Sequence, residues 1–246
     1  MKLPLSLIAI IISGSLFAQT TQRTIENQNT KEIFYVSMAH KAIKEGSYTL
    51  YTLYGNRMIC DGFYKKNLKD SLWRYFSPSM KLAGMGYYKN GEKTGVWDTY
   101  SADGELQVKY DFTNKKLLIY NRSKQDSIKQ YYVINGSDTV KTFLGRPPIF
   151  LDDEERFLRQ MTVGMRYPID AKEHNIQGKV IIGFTIDLNG KILNYRIKKA
   201  LGYGCDEEAL KAVRNGFNGD WLPGLLNGNP VVVEYEVPIS FSLQTQ

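Results

Sequence analysis

The last third of the chain is organised by alternating apolar and polar residues, and this pattern constrains the fold more than any other feature. From Lys179 to Asp187 the even-numbered positions are apolar, which is typical of a strand with one buried face. Asn189-Gly190 follows, a dipeptide that favours the positive φ angles of a two-residue hairpin turn. The alternation resumes from Leu193 to Lys198. The sequence therefore predicts two antiparallel strands joined by a tight turn.

A helix and a long strand are predicted to follow this hairpin. Apolar residues stand at helical spacing between Ala209 and Phe217, behind the acidic residues Asp206–Glu208, which suit the positive end of a helix dipole. Every odd position from Val231 to Leu243 is apolar, the longest strand pattern in the chain. Pro238 lies within it and has no N–H to donate, so we expect this strand at a sheet edge or broken there by a bulge.

In this order and spacing, the segments resemble the C-terminal domain of TonB energy transducers. The resemblance extends over residues 145–246. It is carried by Pro147–Phe150, Tyr167-Pro168, Ile176–Val180, Asp187–Gly190, Gly204–Ala209, Trp221–Gly224, Gly228–Val231 and Val237–Ile239. The family implies a small α+β domain, in which helices accompany an antiparallel three-stranded sheet.

The resemblance also implies a function. In the family, this domain captures a short extended segment of an outer-membrane receptor beside its sheet and passes on work from the inner-membrane proton-motive complex. Such strand addition depends mainly on main-chain hydrogen bonds. Carried over by position, the candidate partner-binding residues are Gly164, Met165, Arg166, Tyr167, Pro168, Val231, Val232, Val233, Glu234, Tyr235 and Glu236. The glutamine-proline character expected before the Tyr-Pro pair is missing, as is a long proline-rich spacer.

The N-terminus has the pattern of a secretory signal peptide. Lys2 precedes an apolar run from Leu3 to Ile12, and small residues lead to Ala18. Cleavage there predicts an exported protein in the periplasm of a Gram-negative-type bacterium. The alternative is an uncleaved inner-membrane anchor, although the segment is shorter than the roughly 20 residues that a spanning helix needs.

Between Tyr48 and Tyr110 the sequence repeats with an offset of 24 residues (97 − 73, for the two tryptophans). The related pairs are Gly62/Gly86, Tyr64/Tyr88, Lys69/Lys93, Leu72/Val96, Trp73/Trp97, Phe76/Tyr100 and Leu82/Leu106. Each unit contains two aromatic-rich runs separated by a turn, which predicts stacked β-hairpins with the tryptophans in the core. The pattern of glycine, aromatic residues and tryptophan resembles MORN-like repeats.

We therefore divide the chain into a signal peptide at 1–18, an N-terminal segment at 19–47, an all-β repeat domain at 48–142 and the TonB-like domain at 145–246. A hairpin around Tyr131–Ile134 is expected to close the repeat sheet. A helix capped by Asp152 or Asp153 is expected to extend to Met161.

Composition and motifs exclude several classes of function. The net charge is +7, but no nucleic-acid motif accompanies it, so acidic envelope polymers or membrane head groups are the plausible charged partners. Cys60 and Cys205 permit a disulfide in an oxidising compartment, although their spacing does not indicate one. His40 and His174 are far apart and have no metal-ligand spacing, so we expect no metal, no cofactor and no enzyme activity.

Two hypotheses remain, and both concern binding. In the first, the protein is a TonB-like component of energy-coupled transport across the envelope, in contact with an outer-membrane receptor and an inner-membrane proton-motive complex. The second is a soluble periplasmic adaptor or scaffold, which binds peptidoglycan or an envelope protein without transmitting force.

Overall fold

The computed structural model describes residues 20–27, 29–151, 165–217 and 219–243. The expected signal peptide, the expected helix from Asp152 to Met161 and the candidate residue Gly164 lie outside these residues. None of the described helices is long and apolar enough to cross a membrane.

The first sheet is a meander of nine strands, each antiparallel to the next in chain order. Its strands are β1 Thr20–Glu26, β2 Thr30–Ser37, β3 Lys44–Thr52, β4 Met58–Lys65, β5 Leu68–Phe76, β6 Leu82–Lys89, β7 Glu92–Tyr100, β8 Leu106–Asp111 and β9 Lys116–Tyr120. The sheet thus includes two strands, β1 and β2, from the segment that we expected to precede the repeats. The predicted stack of hairpins is present.

Each tryptophan of the repeat lies flat on a glycine of the preceding strand, which is the other strand of its own hairpin. A Cβ atom on Gly62 would stand 2.3 Å from the Trp73 indole, and one on Gly86 would stand 2.2 Å from the Trp97 indole. Trp73 donates its indole N–H to the carbonyl of Phe63 at 3.0 Å. The 24-residue period is therefore a packing unit, in which only glycine leaves room for the ring.

Lysine and tyrosine complete this unit around each tryptophan. The edge of Tyr64 faces Trp73 at 5.2 Å between ring centroids, and Lys69 Nζ lies 4.5 Å above the same indole. Tyr88 and Lys93 repeat both contacts on Trp97, at 5.1 Å and 4.2 Å. Such cation–π contacts favour a lysine stem lying along the aromatic surface. Both tryptophans are buried, as predicted.

The second sheet has the order β11-β10-β17-β13-β14, and β16 pairs with β17, while β12 and β15 form a separate two-stranded ladder. The elements after β9 are α1 Lys124–Ile128, β10 Tyr131–Asn135, β11 Asp138–Thr142, β12 Ile149–Phe150, α2 Ile169–Glu173, β13 Gly178–Ile186, β14 Ile192–Lys199, α3 Cys205–Gly216, β15 Trp221–Leu222, β16 Gly224–Leu226 and β17 Asn229–Phe241.

The predicted hairpin of β13 and β14 is formed, and its turn is held by Asp187. The carboxylate of Asp187 accepts hydrogen bonds from the backbone N–H groups of Asn189 and Lys191 at 2.9 and 2.8 Å. Gly190 has a φ of 82°, and a Cβ atom there would lie 1.9 Å from the carbonyl oxygen of Trp221. Position 190 therefore requires glycine for both conformation and space.

The hairpin of β10 and β11 does not close the repeat sheet, contrary to our expectation. It pairs with β17 of the second sheet instead. Tyr131 and Val133 of β10 are buried beside Leu144 and Val233. The end strand β9 of the repeat sheet is mostly exposed. Burial of these two side chains therefore explains why the hairpin joins the second sheet.

The two sheets meet through a small apolar cluster. Val108 and Tyr110 of β8 pack with Ile149 and Leu151, and Lys93 Nζ donates to the carbonyl of Leu151 at 3.0 Å. Arg122 donates to the carbonyls of Leu144 and Gly145 in the connection between the sheets. Cys60 and Cys205 are buried in two different clusters, one in each sheet.

Candidate partner-binding strand

β17 is an inner strand of its sheet over part of its length. Val233 and Glu234 pair with β13 on one side and with β10 on the other, while Val231 pairs with β16. Our expectation of an open edge along Val231–Glu236 is therefore wrong at Val233 and Glu234, which have a neighbouring strand on both sides. Within the described ranges, Glu236–Phe241 pairs with β13 alone, and this part contains Pro238, as expected of a proline at an edge.

The odd-numbered residues of β17 face the core. Val233 is fully buried, and the ring of Tyr235 lies 5.6 Å from Phe184, 5.3 Å from Trp221 and 6.2 Å from Tyr131 between centroids. Burial raises the pKa of Tyr235 to about 12, so its hydroxyl is neutral at physiological pH. These two candidate residues therefore act as core residues in the described structure.

Glu234 is buried on the opposite face, within a group of charges. Its Oε1 accepts a hydrogen bond from Arg196 Nε at 2.9 Å and lies 2.9 Å from Lys198 Nζ. Lys198 also lies 3.7 Å from the carboxylate of Glu236. Burial opposes ionisation of Glu234, but the hydrogen bonds and positive charges of Arg196 and Lys198 outweigh it, so its pKa is lowered. The Glu234 side chain is therefore a structural ion-pair partner.

Lys129 covers the place where β10 meets β17. Its Nζ lies 4.8 Å from the ring centroid of Tyr131 and 4.6 Å from that of Tyr235. Burial lowers the pKa of this ammonium group, while Asp126 and Glu236 partly offset the effect. Sequence reasoning missed Lys129, Tyr131 and Val133 as residues beside the candidate strand. An apolar run and the turn after it predicted their hairpin, but no local pattern indicated which strand it would pair with.

The Tyr-Pro region approaches the other end of β17. The ring of Tyr167 meets Phe241 edge-on at 5.6 Å, and its hydroxyl donates to the carbonyl of Ile176. Pro168 directly precedes α2. Because strands rise about 3.4 Å per residue, Phe241 lies roughly 17 Å along β17 from Glu236. The two groups of candidate residues are thus brought to one strand, but to different parts of it.

Met165 and Arg166 connect this region to its surroundings. Met165 packs against the core of the second sheet and also lines a cavity of about 260 Å³ with Met58, Ile59 and Phe76 of the repeat sheet. The backbone N–H of Arg166 donates to Glu208 at 3.3 Å. Within the described residues, no group of three His, Cys, Asp or Glu side chains could hold a metal ion.

These features define a small α+β domain built around a strand whose pairing is incomplete on one side. The family model for the Gram-negative bacterial TonB protein C-terminal matches residues 163–243. That span contains α2, β13, β14, α3 and β17. The part of the chain that folds around β17 therefore carries the sequence signature of the TonB C-terminal domain.

Solved structures give only weak similarity. The solution structure of the TonB C-terminal domain from Helicobacter pylori is 21% identical, with coverage of 39% of this chain and 87% of that chain and a TM-score of 0.28. A mutant of TarM from S. aureus is 14% identical, with coverage of 40% and 21% and a TM-score of 0.25. Another TarM structure is 13% identical, with the same coverage and TM-score. No curated protein matches the chain significantly. Similarities this weak carry no functional information.

Proposed function

We propose that the chain is a TonB-like protein of the bacterial envelope, which binds an extended segment of an outer-membrane receptor by strand addition in energy-coupled transport. The supporting observation is that the TonB family match covers the domain built around β17, a strand paired on one side only from Glu236 to Phe241. An exposed strand edge offers main-chain donors and acceptors to another chain. The proposal includes export to the periplasm and contact with an inner-membrane proton-motive complex.

The candidate residues divide into two roles under this proposal. The backbone of Val231–Glu236 supplies the pairing groups once the partner replaces β10, which now lies beside Val232–Glu234. The side chains of Val233, Glu234 and Tyr235 hold the strand in shape from both faces. Met165–Pro168 fixes the far end of β17 through the contact of Tyr167 with Phe241. Affinity then depends on the main chain, and side chains beside the strand select the partner.

Peptides from the periplasmic N-termini of outer-membrane receptors test the proposal. Val232→Pro removes a main-chain donor and is expected to abolish binding, whereas Val232→Thr keeps the donor and is expected to bind like the parent. Both variants must retain the circular dichroism of the parent. Equal binding by the two variants would contradict strand addition at this position.

The second candidate is a periplasmic adaptor or scaffold that binds peptidoglycan or an envelope protein without energy transduction. The apolar cluster of Val108, Tyr110, Ile149 and Leu151 favours it, because this cluster attaches the repeat sheet directly to the β17 domain. Isolated cell-wall material distinguishes the candidates. If it binds the chain while no receptor peptide does, the adaptor replaces the transport function.

A further inference from the structure

We propose that β10 occupies the position of the partner strand on β17, and that the partner is an extended segment built like β10, with a cation, an aromatic residue and a β-branched residue at alternate positions. This inference rests on the proposed function and specifies the partner. Three observations carry it: the extent of pairing, the contacts of the inward side chains and the exposure of β11.

Of the parts of β17, the stretch beside β10 is the best suited to bind a partner strand. β10 pairs only through Tyr132–Ile134, whereas β13 pairs along the whole of Gly178–Ile186. The remaining side of β17 contains Pro238, which cannot donate a hydrogen bond to an incoming strand. An uninterrupted ladder of main-chain hydrogen bonds is therefore available where β10 now lies.

The inward side chains of β10 define what a partner must supply. Lys129 lies over the rings of Tyr131 and Tyr235, Tyr131 approaches Tyr235, and Val133 packs with Val233. Lys129, Tyr131 and Val133 stand at alternate positions, which is the period of a strand with one face inward. A partner with the pattern cation-x-aromatic-x-aliphatic would make the same contacts.

The outward positions of β10 are less restrictive. The ring of Tyr132 has the ammonium groups of Lys141 and Lys198 at 5.3 and 5.4 Å from its centroid. Both lysines are exposed, so an aromatic or acidic residue of the partner would suit this position. Tyr132 lies opposite Glu234, whose charge is already paired.

The hairpin of β10 and β11 is held mainly from one side. Most residues of β11 are exposed. The side chain of Val140 is 58% exposed, and that of the nearby Phe143 is 50% exposed. A strand tethered to its site has a high effective concentration there, so the apparent affinity for a free partner falls by the fraction of molecules in which the site is uncovered. The hairpin of β10 and β11 would thus occupy the site where the partner binds and lower the apparent affinity for the partner.

A peptide with the sequence of Ile128–Asn135 is the probe, because it copies β10 without requiring a known receptor. It is titrated into the full chain and into a Tyr131→Ser/Val133→Ser variant, in which the chain's own β10 has lost its inward contacts. We expect the variant to bind the peptide at least about tenfold more tightly than the parent. A peptide with the same two serines is the control and is expected not to bind.

A pair of disulfide variants tests displacement without weakening the hairpin. Ile134→Cys/Val232→Cys joins residues that lie opposite each other on β10 and β17, whereas Ile134→Cys/Thr139→Cys joins β10 only to β11. The oxidised first variant should not bind the peptide until it is reduced. The oxidised second variant should bind as the parent does.

Each result decides the inference. Equal peptide affinity in the parent and in the serine variant, or binding by the oxidised β10–β17 variant, overturns it. If the serine variant is unfolded by circular dichroism, the disulfide pair alone decides. Should neither the parent nor the reduced β10–β17 variant bind the peptide, the inference is likewise overturned. Binding of the β10 peptide but of no receptor peptide would contradict the proposed receptor function while leaving the assigned surface intact.

Discussion

Gly183 of β13 lies beneath the carboxylate of Glu234 of β17. The residue directly opposite Gly183 is Glu236, so Glu234 is two positions away along the neighbouring strand. A Cβ atom on Gly183 would stand 2.9 Å from Glu234 Oε1 and 2.9 Å from Lys198 Cγ. β13 therefore has no side chain at the point where Arg196 and Lys198 of β14 reach across to β17. This gap allows an ion pair between strands that are not adjacent.

Gly183→Ala is expected to destabilise the second sheet by about 1 to 3 kcal/mol, because the new methyl group would crowd the ion pair. Urea unfolding measures the change. In a Glu234→Ala background, the cost of the same substitution should be smaller, since one of the two crowded atoms is gone. Identical costs in both backgrounds would show that Gly183 does not serve the Glu234 contact.

Glu234→Gln is expected to lower the free energy of unfolding by about 1 to 3 kcal/mol at pH 7, because hydrogen bonds to a charged acceptor are lost. The pKa of Glu234 is lowered from its ordinary value of 4.5. Its contribution should therefore be complete above pH 4.5 and diminish as the pH falls through the folded-state pKa. Unfolding curves from pH 3 to 8 measure this dependence. Glu236→Gln is the control and should change less, since Glu236 is more exposed.

Trp97→Ala is expected to destabilise the repeat sheet by about 3 to 5 kcal/mol, as for other buried aromatic residues truncated to alanine. Trp97 is 1% exposed, so its loss leaves a cavity. Thermal unfolding monitored by far-UV circular dichroism measures the effect, while dispersed amide signals from β13 and β17 would report an intact second sheet. A near-neutral change would contradict a core position for this indole.

Gly86→Ala should destabilise the repeat sheet by about 3 kcal/mol, because the added methyl group would overlap the Trp97 ring. Combined with Trp97→Ala, the same substitution should cost little, since the ring is gone. Gly62→Ala tests the equivalent contact with Trp73 in the other repeat unit. Additive costs at either position would exclude direct contact between the glycine and the indole as the cause.

Residues 145–246 are expected to fold alone, since α3 and the strands around β17 form their own core. A fragment from residue 121 should be more stable by roughly 3 kcal/mol, because it adds the buried side chains of Tyr131 and Val133. Urea unfolding of both fragments gives the difference. A shorter fragment without a cooperative transition would contradict the division into two domains.

Local sequence patterns predicted those parts of the fold that depend on neighbours along the chain. Asn189-Gly190 predicted the turn between β13 and β14, and apolar spacing predicted α3. The 24-residue offset predicted the stacked hairpins, because each tryptophan packs on the glycine of its own unit and Trp73 also contacts Tyr88 of the next unit. In all three cases, the residues that specify the element also make its main contacts.

The candidate site was only partly predictable, since strand order depends on contacts between distant segments. The apolar run at Tyr131–Ile134 indicated a strand, but nothing local showed that Val233 would bury it. Pro238 correctly indicated an edge, yet only for the second half of β17. A proline limits pairing at its own position and carries no information about residues four or five positions earlier.

The packing of each tryptophan on the glycine of its own hairpin makes the repeat sheet a series of similar units. One unit contributes two strands, and strands lie about 4.8 Å apart, so each unit widens the sheet by roughly 10 Å. The attachment to the β17 domain lies at β8, towards the last strand. Units gained or lost on the other side of β8 would thus change the distance between β1 and this apolar cluster and leave the cluster itself unaltered.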